Sequence, residues 1–202
     1  MVFAKFTIFD LINSLSQLGT FLVVIATAVA GIAQLRHLRA SNELEALLRL
    51  TEQLREPDMQ TALGFVQREL EAKLRDPAYR AELAHIGFID SRQHPEMDAC
   101  NWFNEVGALV KGRLIDERIF LDLFARLVSY YWMQLQPVIA ILRRERGPSQ
   151  YENFEFLARL ALTWKSVHPT GAYPARVDRM AVEDLYAAID AQPQTPAASP
   201  SA

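Results

Sequence analysis

The sequence predicts an all-α protein, one N-terminal transmembrane helix followed by a multi-helix bundle. Three observations carry that reading. Apolar residues recur every three to four positions through most of the chain, the spacing of one buried helix face. Leu, Ala, Glu and Arg are abundant while only 8 of 202 residues are glycine, a composition that favours helix over sheet. The stretch from Leu11 to Leu35 contains no charged residue at all.

As a helix rising about 1.5 Å per residue, that stretch reaches roughly 37 Å, against a bilayer core of about 30 Å. A core helix of a soluble protein rarely runs so far without a charge. Ala28-Val29-Ala30 has the small residues of a signal-peptide cleavage site. Yet Lys5 is the only positive charge before the run, and Arg36, His37 and Arg39 follow at once, which is the wrong pattern for a cleaved leader. Arg36, Arg39, Arg49 and Arg55 on the far side outweigh Lys5, so the positive-inside rule puts the C-terminal domain in the cytoplasm and residues 1–10 outside. Arg36 and Arg39 are the expected membrane-interface residues. Two small-xxx-small pairs, Ala26/Ala30 and Thr27/Gly31, offer a route to a homo-oligomer through close helix approach.

Beyond residue 35 the helices have their own start and stop signals. Asn42-Glu43-Leu44-Glu45 has capping-box spacing and opens a helix carrying Leu44, Leu47, Leu48 and Leu54. A break at Ser41–Asn42 would turn it along the membrane, and without one it prolongs the membrane rod. Pro57 with Asp58 starts the next helix, through Met59, Leu63, Val66, Leu70 and Leu74. Asp76-Pro77 starts a shorter one through Tyr79 and Leu83 to Ile86, stopped by Gly87, and residues 88–94 form a loop. Pro95 begins a helix with Cys100, Phe103, Val106 and Leu109 or Val110 inward, ended by Gly112. Asp116 caps the long helix from Glu117 to Arg146, apolar over more than half its circumference (Phe120, Leu123, Phe124, Leu127, Val128, Tyr131, Leu135, Val138, Leu142) and so the expected centre of a bundle. Pro137 is expected to kink it. Ser149-Gln150-Tyr151-Glu152 reads as a capping box for a last long helix through Phe154, Leu157, Leu160, Ala161 and Trp164 to His168. A short helix from Val182 to Ile189 completes the domain, taken as residues 36–190, and residues 191–202 are expected to be a disordered tail.

The chemistry-bearing residues are sparse. With 21 basic and 24 acidic residues the chain lacks the basic excess of a nucleic-acid binder, and Asp116, Glu117 and Asp122 spoil a helix-turn-helix reading of residues 106–124. A single cysteine, Cys100, allows no internal disulfide, fits a reducing compartment, and lies on an apolar stripe where a thiol packs as a small hydrophobe. His94, Glu96 and Asp98 crowd around Pro95, but no metal-ligand spacing is present and an exposed loop running into a helix accounts for them. His37 joins the basic cluster after the apolar run, and His85 suits a helix C-terminus. There is no nucleophile elbow, no dinucleotide fingerprint and no phosphate-cradling loop. No catalytic residue, cofactor or metal site is therefore expected.

The order Gln34-Leu35-Arg36, Arg39, Asn42, then Trp102-Phe103, Tyr131-Trp132, Pro137, and Tyr151 with Phe154 resembles a family of uncharacterised bacterial membrane-anchored proteins catalogued as a domain of unknown function. The similarity spans residues 15–168 and implies the anchor-plus-helical-domain layout in a bacterial inner membrane. It implies no activity, ligand or catalytic residue.

The functional expectation is a single-pass membrane protein whose cytoplasmic bundle docks a protein partner, an interaction or scaffold role. The alternative is a membrane-tethered enzyme or small-molecule sensor. Tyr131 and Trp132, with Arg143 and Arg144 further along the same helix, are the expected partner or ligand contacts, aromatic anchors beside guanidinium groups. Those aromatics also suit a core, and the arginines suit the negative end of a helix dipole.

Overall fold

A computed structural model describes residues 8–85, 87 and 89–187. The described residues are all helical or irregular, without a strand: α1 (Ile8–Arg55), α2 (Pro57–Arg68), α3 (Leu70–Lys73), α4 (Pro77–Ala84), α5 (Glu96–Lys111), α6 (Glu117–Arg146) and α7 (Glu152–Val167). The chain divides into two compact units, Met1–Pro169 and Thr170–Ala202.

α1 runs 48 residues without a break. Asn42 lies inside it, so the capping-box spacing there goes unused and the apolar rod continues directly into the first helix of the domain. The apolar half is long and hydrophobic enough to cross a membrane and no part of it is buried by the rest of the chain. Two hydroxyls there turn back on their own helix, Thr20 to Ser16 O at 2.9 Å and Thr27 to Val23 O at 2.8 Å. Only the last turns are built into the bundle. Leu50 and Leu54 are buried, and Gln53 accepts a 3.2 Å hydrogen bond from the Trp102 indole.

Local signals account for most helix boundaries. Asp76 accepts from Ala78 N at 2.9 Å and Asp116 from Ile119 N at 2.8 Å, capping α4 and α6 as expected. Pro57 is the first residue of α2, which pauses at Glu69 before α3 carries Leu70 into the core. α4 ends at Ala84, ahead of the expected Ile86, which with Phe88 lies outside the described residues. Gly147 closes α6 at φ 87, a backbone region a side chain would resist. Pro137 sits within α6, which continues past it to Arg146.

The start of α7 departs from expectation. Ser149 does not cap it; Tyr151 occupies the cap in the left-handed region, φ 57, without a side-chain cap bond of its own. The cap comes from across the bundle: Asn104 of α5 accepts from Phe154 N at 3.3 Å, and Asn101 accepts from the Tyr151 hydroxyl at 2.9 Å. α5 and α7 approach so closely that a Cβ on Gly107 would lie 2.1 Å from Asn153 O. That approach lets a residue of one helix cap the other.

The core lies among α5, α6 and α7. Phe103 and Phe154 stack with centroids 4.7 Å apart and planes 10° from parallel, and Trp132 meets Phe154 edge-on at 5.0 Å. Phe120, Val128, Leu135, Val138 and Leu142 of α6 are buried as predicted, whereas Leu123 is exposed. In the second unit, Val182 to Asp184 is not helical, so the expected helix does not begin at Val182. Asp184 instead caps a turn through Tyr186 N and Ala187 N, 3.0 and 3.1 Å away. Residues 188–202, including the expected tail, lie outside the described residues.

Candidate functional site

The residues singled out on α6 do not converge. Tyr131 is buried in the aromatic core, its hydroxyl accepting from Gln67 Nε2 at 2.6 Å, and burial pushes its pKa up. Trp132 packs partly buried on Phe154. Arg143 is spent on the α6–α7 junction, donating through Nε to Gln150 O at 2.9 Å and pairing with Glu155 at 2.7 Å. Arg144 is exposed. Tyr131, Trp132, Arg143 and Arg144 thus point to different sides of α6, as neighbouring residues of a helix do. Arg36 is exposed, and Arg39 pairs with Glu43 at 3.0 Å and comes within 3.5 Å of Arg113 O.

His94 and Glu96 correct the picture of an exposed loop, since both are buried. Glu96 Oε1 accepts from the Tyr79 hydroxyl at 2.6 Å and lies 3.0 Å from His94 Nδ1, while His94 Nε2 lies 3.1 Å from Glu82 Oε2. Each ring nitrogen of His94 thus faces a carboxylate oxygen, one from Glu96 and one from Glu82. Glu96 Oε2 has no hydrogen-bond partner among the described residues. Burial first, and then the bond to Glu96, drive Tyr79 well above the ordinary phenol range. Cys100, one turn along α5, is driven up likewise by burial and then by Glu96, so it stays a neutral thiol. No group of three or more His, Cys, Asp and Glu among the described residues is arranged to hold a metal ion.

Two surface features were not legible in the sequence. The first is an apolar shelf where α1 meets the start of α6. Leu44, Leu48, Ile119 and Leu123 are each more than half exposed, at 58, 55, 55 and 60%. Glu43, Leu44, Leu47, Ile115, Asp116 and Ile119 line a groove of about 190 Å³ there. The second is an open cleft of about 490 Å³ between α6 and the end of α7, lined by Arg126, Tyr130, Met133, Lys165, His168 and Pro169. Neither shows in a one-helix reading, because each joins residues some 40 to 75 positions apart.

A family model described as a domain of unknown function, DUF4760, matches residues 21–164. The chain belongs to the DUF4760 family. The family region takes in the second half of the apolar run together with helices up to Trp164, so the long helix and the bundle belong to one domain. Neither a curated protein nor a solved structure matches the chain.

Proposed function

We propose that this chain is a single-pass inner-membrane protein with residues 1–10 outside, whose cytoplasmic helical domain is a docking scaffold that first engages a second copy of itself. The observation that carries the reading is the apolar shelf on an unbroken α1. Leu44 and Leu48 stand about 14 and 20 Å beyond Leu35 along the helix, above the hydrocarbon and past most of the headgroup layer. Lipid does not reach them there, and an uncovered shelf of large apolar side chains marks a protein contact.

The register of α1 supports a second copy as the occupant. At about 100° per residue, Gly19, Ala26, Ala30, Leu44 and Leu48 fall within roughly 40° of one another on the helix wheel. Leu47, Leu50 and Leu54, which face the bundle, lie on another side. One self-complementary seam therefore runs from small residues at membrane depth to large ones above it, the form of a two-fold helix pair. Thr27 and Gly31 lie about 100° away from that seam. Two of the charges beside the shelf are paired within α1, Arg39 with Glu43 at 3.0 Å and Arg49 with Glu45 at 2.6 Å.

The test is oxidative cross-linking in membranes of a Leu44→Cys variant, with Cys100 buried and silent. A disulfide-linked pair of chains, lost on adding Ile119→Glu, is the expected result. Cross-linking by bifunctional reagent only to a different protein would keep the docking role and remove the self-partner. A monomer in detergent and in nanodiscs that captures nothing would overturn both.

A further inference from the structure

None of Arg126, Lys165 and His168 forms an ion pair among the described residues. All three line the cleft between α6 and the end of α7, and no carboxylate among the described residues lines it with them. In a chain with 24 acidic residues and a net charge of −3, that local set has no ion-pair partner among the described residues. We propose that the cleft binds a small phosphorylated molecule, its phosphate held by Arg126, Lys165 and His168 and its organic part lying against Tyr130 and Met133.

The basic groups are positioned before any ligand arrives. Lys165 Nζ donates to Ser129 Oγ at 3.0 Å, and that fully buried serine hydroxyl donates in turn to Arg126 O at 3.1 Å. His168 stacks on Trp164 with centroids 4.2 Å apart and its Nδ1 donates to Trp164 O at 3.1 Å, which leaves Nε2 as the ring nitrogen free to meet a ligand. Fixing side chains in advance lowers the entropy lost on binding. The dipole of α7 accounts for Lys165 and His168 at its C-terminal end but not for Arg126, which lies well inside α6 (Glu117–Arg146).

Phosphate fits this set better than a bare carboxylate. Its three or more oxygens, spread around one centre, suit a guanidinium fork, an ammonium and an imidazole arriving from two helices. Arg126, Tyr130 and Met133 share one face of α6 at i, i+4 and i+7, so the aromatic and thioether surface continues directly from the arginine. A volume of about 490 Å³ falls in the range of small-ligand clefts and exceeds what inorganic phosphate alone needs. The phosphate can belong to a soluble ester or to a lipid headgroup, and the experiment separates the two.

The full chain in phosphatidylcholine nanodiscs is titrated calorimetrically with adenosine monophosphate, inorganic phosphate and adenosine. It is then reconstituted with phosphatidylglycerol and titrated again. The expected result is saturable adenosine monophosphate binding, tighter than phosphate alone, undetectable for adenosine, and weakened about tenfold or more in Arg126→Gln/Lys165→Gln. Arg75→Gln, an exposed cation away from the cleft, leaves it unchanged. Loss of the soluble probe's binding in phosphatidylglycerol, with that lipid preferred by the wild-type chain and not by Arg126→Gln/Lys165→Gln, assigns the phosphate to a headgroup. Equal binding by the wild-type chain and the double variant, with helicity and melting unchanged, overturns the site. So does the absence of saturable binding by every phosphate probe and no preference for phosphatidylglycerol.

Discussion

The two ends of this chain use apolar residues for opposite purposes. Along the first half of α1, Leu15, Leu18, Phe21, Leu22, Val23 and Val24 are exposed all round the helix. In the α5–α6–α7 bundle, Phe103, Phe120, Leu135, Leu142, Phe154 and Leu157 are completely covered. The residue types are nearly the same. What differs is the company of charges: the bundle helices alternate apolar and charged faces and so fold onto each other, while the uncharged rod has no polar face to turn toward water.

That contrast is sharpest under side-chain truncation. Phe103→Ala removes one half of the central stack and should cost about 3–5 kcal/mol in denaturant unfolding of the domain. Phe21→Ala, the same truncation on α1, should leave the same transition unmoved, because Phe21 is exposed and nothing among the described residues buries it. An equal shift from both would mean that the rod is folded into the domain after all.

The buried acid at the start of α5 is the next test. Glu96→Ala strands the Tyr79 hydroxyl and His94 without their shared acceptor and should destabilise the domain by about 3 kcal/mol. Glu96→Gln keeps an acceptor oxygen and should cost less. If the two variants unfold at the same denaturant concentration, the hydrogen bonds drawn to Glu96 are not sustaining the bundle.

A smaller effect should appear at high pH and only in the bundle. Burial raises Cys100, Tyr79, Tyr131 and Tyr151 above their ordinary values, 9.0 for the thiol and 10.0 for each phenol. Raised acid groups bind more protons folded than unfolded above those values, so stability is fully present below about pH 9 and declines as pH rises further. Melting curves from pH 8 to 11 should be flat at first and then fall. Tyr79→Phe should flatten that fall above pH 10, since one of the four groups no longer titrates.

Much of the architecture was legible residue by residue. Asp76 and Asp116 announce their helices because a side-chain cap needs only its own next few residues. Asn42 and Ser149 have the same spacing and do not cap. At Asn42 the helix simply continues, and at Ser149 the cap arrives from Asn104, 50 positions from the amide it serves. The aromatic and arginine residues of α6 were visible as a group, yet their directions scatter Tyr131 to the core, Arg143 to Gln150 and Glu155, and Arg144 to solvent.

What the sequence determined by itself is the all-helical class, the charge-free rod, most helix starts and the core stripe, because each depends on periodicity or on a cap within a few residues. Tertiary structure alone decided that α1 is unbroken, which brings Ala26, Ala30, Leu44 and Leu48 into one register. It alone buried His94 with Glu96, and gathered Arg126, Lys165 and His168 around one cleft. Those juxtapositions depend on how helices distant in the chain cross, and no local pattern encodes a crossing.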